Sequence, residues 1–81
     1  APLLYKVLKE ILDNARNGEQ LIKILNNAKM KLLDSGFTKI DYLKICDDKD
    51  LKELSNFSPD ARILGAAWLG NTRLIDNIGV N

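Results

Sequence analysis

Apolar residues change their spacing once along this chain, near Phe37, and that switch from a helical to a strand period limits the fold to helices followed by sheet. Before it, Leu4, Val7, Leu8, Ile11, Leu12 and Ala15 recur three and four positions apart, which predicts an amphipathic helix from Pro2 to Asn17. Pro2 suits a first helical position and Gly18 suits the stop. A second stripe of Leu21, Leu25, Ala28 and Leu32, widened by Ile22, Ile24 and Leu33, predicts a helix from Glu19 to Ser35 that Gly36 closes. Little more than Asn17 and Gly18 separates the two, so they fold back as an antiparallel hairpin.

After Phe37 the residue types become those of strands. Ile40, Tyr42, Leu43 and Ile45 predict a strand from Lys39 to Asp47. A polar connection follows, in which Leu51, Leu54 and Phe57 tack the loop to the body and a short helical turn fits Asp50 to Leu54. Arg62 to Leu69 and Arg73 to Val80 then flank Gly70-Asn71-Thr72, the sign of a hairpin. Gly65, Ala66 and Ala67 are small enough to let a helix lie close on the sheet. The expectation is an α+β domain of two layers, with the N-terminal helical hairpin packed on a three-stranded antiparallel sheet that shelters Trp68. At 81 residues the whole chain, 1–81, reads as one domain.

Charge and composition exclude several kinds of chemistry. Lysine and arginine number 12 against 11 acidic residues, a net charge of +1, which gives no strong field for nucleic acid or an anionic membrane surface. The apolar run around Ala66 to Leu69 falls far short of the roughly 20 residues of a membrane span. No basic segment followed by an apolar one opens the chain, so a cytoplasmic location is expected. There is no histidine and a single cysteine, Cys46, which rules out Ser-His-Asp and Cys-His catalysis, an internal disulfide and a Cys/His zinc cluster within these residues.

Four local patterns invite a sharper reading. Gly65 to Thr72 has the glycine and threonine spacing of a phosphate-binding P-loop, but Asn71 stands where the lysine belongs, and the residues that follow read as a strand rather than a helix. Lys29-Met30-Lys31 is reminiscent of a nucleotidyltransferase ATP loop. It falls inside the second helix, where Met30 reads as a packing residue and the lysines as a solvated edge. Asp47, Asp48 and Asp50 lack the glycine and distant glutamate of a calcium loop, and read as a turn. Arg73 and Asp76 are the ionisable pair of most interest: Asp76 shares a strand face with Leu74 and Ile78, so its carboxylate needs a partner or an edge position, with Arg62 on the neighbouring strand as one candidate partner in a structural pairing.

The fourteen residues from Gly65 to Ile78, GAAWLGNTRLIDNI, resemble the C-terminal signature of the pantothenate synthetase (pantoate–β-alanine ligase) family. Leu4-Tyr5-Lys6-Val7-Leu8 is similar to the helix after that family's Ser-Ser-Arg-Asn loop, and Ile40-Asp41-Tyr42-Leu43-Lys44-Ile45 to its first C-domain strand. The resemblance implies a magnesium-dependent ligase that makes pantoyl adenylate from pantoate and ATP, then transfers the pantoyl group to β-alanine. It further implies that the catalytic residues lie in a larger N-terminal Rossmann-like domain carrying His-x-Gly-His, the principal partner of this one. These residues would act as its lid. No catalytic, cofactor-binding or metal-binding residue is carried over onto them, and no ATP or magnesium site is expected here. The alternative is a free-standing α+β interaction module without enzymatic activity.

Overall fold

A computed structural model describes residues 2–79, with helix α1 at Pro2–Arg16, helix α2 at Leu21–Asp34, and strands β1 at Lys39–Asp47, β2 at Ala61–Leu69 and β3 at Thr72–Gly79. The expected strand end at Val80 lies outside the described residues. The sheet is antiparallel, in the order β1-β2-β3. Both helices lie on one side of it, α1 over β2 and β3 and α2 over β1. The fold is thus the two-layer α+β arrangement that the change of period implied.

Both helices end by the same device. Gly18 takes φ +86° and donates its N–H to Ala15, while Glu19 N–H reaches back to Asn14. Gly36, at φ +108°, donates to Leu33, while Phe37 N–H reaches Leu32. These are Schellman closures, which satisfy the last helical carbonyls and need a residue without a Cβ penalty at positive φ. In the second, Phe37 and Leu32 are both buried, so the chain turns from helix to sheet on an apolar hinge.

The core lies between the layers. Leu4, Val7, Leu8 and Ile11 of α1 and Ile24 and Leu32 of α2 meet Leu43, Ile45, Ile63 and Ala67 of the sheet. On α2 the buried stripe is Leu21, Ile24, Ala28 and Leu32, with Leu25 only half-buried. Ile22, Leu33 and Met30 are exposed, contrary to the packing expected of them. Two apolar stripes overlap on this helix, and contact with β1 selects the one containing Ile24. Gly65 faces α1, and a Cβ there would stand 3.1 Å from Leu8 and 3.2 Å from Leu43. Ala67 shares that face, whereas Ala66 pairs with Tyr42 and Ile75 on the other.

Two further expectations change. Residues 50–54 form no helical turn. Asp47 N–H bonds to Lys52 C=O, Leu54 N–H bonds to Ile45 C=O, and Glu53 bridges Cys46, so this backbone covers the outer edge of β1. Leu51 takes φ +59° to make that possible and is exposed, while Leu54 and Phe57 do pack against the core. Trp68 is half-buried, on the side of the sheet away from the helices.

Candidate functional site

The sheet has one face under the helices and one that no element among the described residues covers, and the second face holds the polar network. Three cross-strand rows place Tyr42, Ala66 and Ile75 together, then Lys44, Leu64 and Asn77, then Cys46, Arg62 and Gly79. Trp68 and Arg73 pair at the hairpin end. Asp41 joins them through a bulge: the register shifts between Ile40 and Tyr42, so Asp41 and Tyr42 both stand against Ala66.

Asp41 is the hub of the arrangement. One of its oxygens, Oδ2, accepts from Arg73 Nε at 2.7 Å and from Trp68 Nε1 at 3.1 Å, and Lys39 Nζ lies 3.8 Å from Oδ1. The hydrogen bond from Arg73 chiefly holds this carboxyl below its ordinary pKa. Partial desolvation opposes that effect, and the Trp68 bond and the charges of Arg73 and Lys39 assist it. The result is a Trp ring and a guanidinium held in fixed orientations by one carboxylate.

A second pairing crosses the far end of the face. Arg62 donates from Nε to Asp48 Oδ1 and from Nη1 to Asn77 Oδ1, both at 2.6 Å. Lys44 instead stands over the Tyr42 ring, 5.3 Å from its centre. Cys46 is fully buried, and that burial pushes its thiol pKa up, away from the reactive thiolate.

The other sequence candidates do not come together as a catalytic centre. Gly65 to Thr72 is strand, two-residue turn and strand, with Gly70 at φ +62° and no helix N-terminus to face a phosphate. Lys31 is committed to Glu10 of α1 at 2.6 Å. Asp47 and Asp50 accept from the backbone N–H of Lys49 and Lys52, a turn-forming use, and Asp48 holds Arg62. Among the described residues no three acidic or sulfur side chains converge on a point that could hold magnesium. Asp76 lies on the helix-side face opposite Gly65 and accepts from Asn77 N–H, while Arg62 is on the opposite face and cannot be its partner. The sequence singled out Arg73, Arg62 and Asp48 separately but assigned Arg62 to Asp76 and passed over Asp41, the carboxylate that holds Arg73.

An open groove of about 730 Å³ lies between the α1–α2 turn and residues 53–57. Leu21, Leu25, Leu54 and Phe57 line it together with Glu19 and Glu53, and no lysine or arginine does. That lining has nothing to neutralise a phosphate.

Comparison with known proteins places the chain in one group. The family model described as pantoate-beta-alanine ligase matches residues 1–79. A pantothenate synthetase of Shewanella woodyi is 40% identical over 78 residues, covering 96% of this chain and 27% of that relative. One from Paramagnetospirillum magneticum is 41% identical over 80 residues, 99% of this chain and 28% of its own length. The crystal structure of pantothenate synthetase from Thermus thermophilus superposes with a TM-score of 0.82 at 32% identity, over 99% of this chain and 29% of that one. The chain therefore spans little more than a quarter of the proteins it matches.

Proposed function

This chain belongs to the pantoate-beta-alanine ligase family, and on that premise we propose that it is the C-terminal lid of an enzyme joining pantoate to β-alanine through a pantoyl adenylate at the expense of ATP. The observation that supports this reading is a family match over nearly the whole chain that accounts for only 27–29% of the relatives' length. The part lacks the means to do the chemistry alone. Arg62 and Arg73 of the sheet are engaged by Asp48 and Asp41, the groove is lined by Glu19 and Glu53 without a lysine or arginine, and the sequence has no histidine for proton transfer.

Residues that cover a cleft still contribute to rate. An acyl adenylate is prone to hydrolysis, and a lid that excludes water retains it until the amine arrives. The rigid sheet face suits that task, since it can be moved as a unit without repacking the core. ATP and magnesium would be held by the remainder of the ligase, because the described residues offer no ligand cluster for the ion.

The test compares the intact ligase with a form lacking residues 1–79. Pantothenate formation should fall steeply while released pantoyl adenylate rises as a fraction of ATP consumed. Unchanged rate and unchanged adenylate release on deletion would refute the lid. A complementary calorimetric titration of the chain alone with ATP and magnesium should show no binding in the low micromolar range, which corresponds to about 8 kcal/mol.

A further inference from the structure

We propose that the Asn17-Gly18 bond, in the turn between α1 and α2, is a modification site at which the chain deamidates without an enzyme, water being the only co-reactant. Asn17 is the one asparagine in the sequence that glycine follows. Both residues are exposed, and a Cβ added at Gly18 would meet nothing within 4 Å beyond its chain neighbours. No packed group therefore shields the bond or hinders the approach of its nitrogen to the asparagine side chain.

The reaction exchanges ammonia for water. Gly18 N loses its proton to a base in solution and attacks Cγ of Asn17. The N–Cγ bond forms, the Cγ–Nδ2 bond breaks, and the amide nitrogen takes up a proton and leaves as ammonia. Water then opens the five-membered succinimide at either carbonyl. Opening at Cγ restores the main chain with aspartate at position 17, whereas opening at the main-chain carbonyl leaves the chain running through Cβ and Cγ as isoaspartate. Each product carries one negative charge more than the starting chain.

Three backbone hydrogen bonds stand between the folded turn and that reaction. Asn17 N–H donates to Asp13 at 3.2 Å, Gly18 N–H to Ala15 at 3.1 Å and Glu19 N–H to Asn14 at 3.3 Å. The attacking nitrogen is thus held toward Ala15, and ring closure requires the last turn of α1 to open. These lengths lie at or beyond the long end of the usual range of about 2.7–3.2 Å, and they close a helix end, where opening costs least. Asn71, exposed in the other tight turn, is followed by Thr72, whose branched side chain crowds the same approach.

Either product weakens the same closure. A carboxylate at position 17 lies just past the C-terminal end of α1, where the helix dipole disfavours negative charge, and four residues from Asp13. Isoaspartate adds a carbon to the main chain inside the loop that the Glu19 to Asn14 bond closes. Deamidation therefore loosens the α1–α2 turn and adds charge beside a groove already lined by Glu19 and Glu53.

Ageing of the intact ligase in mildly alkaline buffer, followed by peptide mass mapping, tests the assignment. The peptide holding Asn17 should gain about 1 Da, separate into aspartyl and isoaspartyl forms, and convert at least about ten-fold faster than peptides holding Asn56 or Asn71. Asn17→Gln, whose side chain would have to close a six-membered ring, should remove the conversion and keep the fold, since the position is exposed. Amide exchange over residues 17–21 should be at least about ten-fold faster in the aged protein than in the fresh one, and Asn17→Gln taken through the same ageing should show no change. Conversion at Asn17 no faster than at Asn71 would overturn the proposal, because the closure would then protect the bond. Conversion at the expected rate with unchanged exchange would equally refute the loosening of the turn.

Discussion

The two faces of the sheet carry the same number of strands and opposite kinds of side chain. Under the helices, Leu43, Ile45, Ile63, Gly65 and Ala67 are buried and no polar side chain is. On the open side, Tyr42, Lys44, Arg62, Leu64 and Trp68 are half-exposed and Arg73 is exposed, and ion pairs and hydrogen bonds hold Arg62, Trp68 and Arg73. The first face stabilises by area and close packing, worth about 25 cal/mol per Å² of apolar surface removed from water. The second adds little stability, since partly exposed ion pairs are worth about 0–1 kcal/mol, yet it fixes side chains that a fold of this size has no structural need to fix. The contrast separates what holds the domain together from what it presents.

The sharpest way to break that contrast is at Leu32, fully buried between α2 and the sheet. Leu32→Ala should cost about 2–5 kcal/mol in urea melts, because the cavity adds to the lost transfer energy. Leu25→Ala, half-buried beside it, should cost about 1 kcal/mol, and Ile22→Ser should stay within about 0.5 kcal/mol. Equal losses at Leu32 and Ile22 would mean the buried side of α2 is misplaced. Next in size is Gly65→Val, whose side chain must displace methyl groups of Leu8 and Leu43 that already stand 3.1 and 3.2 Å from the Cβ position. A loss of about 1–3 kcal/mol is expected.

Much of this was legible before any coordinates. The alternation of Leu43 and Ile45, the glycines after each helix and the two-residue turn at Gly70 gave strands and helices within a few residues of those observed, and β1 at the same bounds, Lys39–Asp47. What the pattern could not decide was choice among equals. Leu25 and Ile24 lie on overlapping stripes of one helix, and only the position of β1 selects between them. The open-face network was hidden for a different reason. Strict alternation from Ile40 would put Tyr42 under the helices, but the bulge sends Tyr42 to the open side together with Asp41, whose partner Arg73 lies 32 positions away. Likewise Leu51 enters positive φ, costly for a leucine, because the residues after it hydrogen-bond to the edge of β1. Long-range backbone pairing outweighed local propensity in each case.

The smallest expected effect on stability is also the most diagnostic of the open face. Asp41 has a folded-state pKa lowered from 3.8, with the Arg73 hydrogen bond as the first cause. A carboxylate depressed in the folded state contributes stability that is fully present above its unfolded pKa and is lost as pH falls through the lower folded value. Wild type and Asp41→Asn should therefore differ by a small, constant urea midpoint from about pH 5 to 8, and the gap should close as pH falls below 3.8. The asparagine can still accept from Trp68 Nε1 but cannot pair with Arg73, so Trp68, the single tryptophan of the chain, reports the change locally. Its fluorescence in wild type should acquire a pH dependence in that acid range which Asp41→Asn lacks. A gap that widens toward low pH, or a tryptophan signal identical in the two proteins, would mean that Asp41 does not organise this face. Added salt supplies the last discrimination: screening should shrink the Asp41→Asn difference and leave the Leu32→Ala difference untouched, because one is Coulombic at a wet surface and the other is area and volume in a dry core.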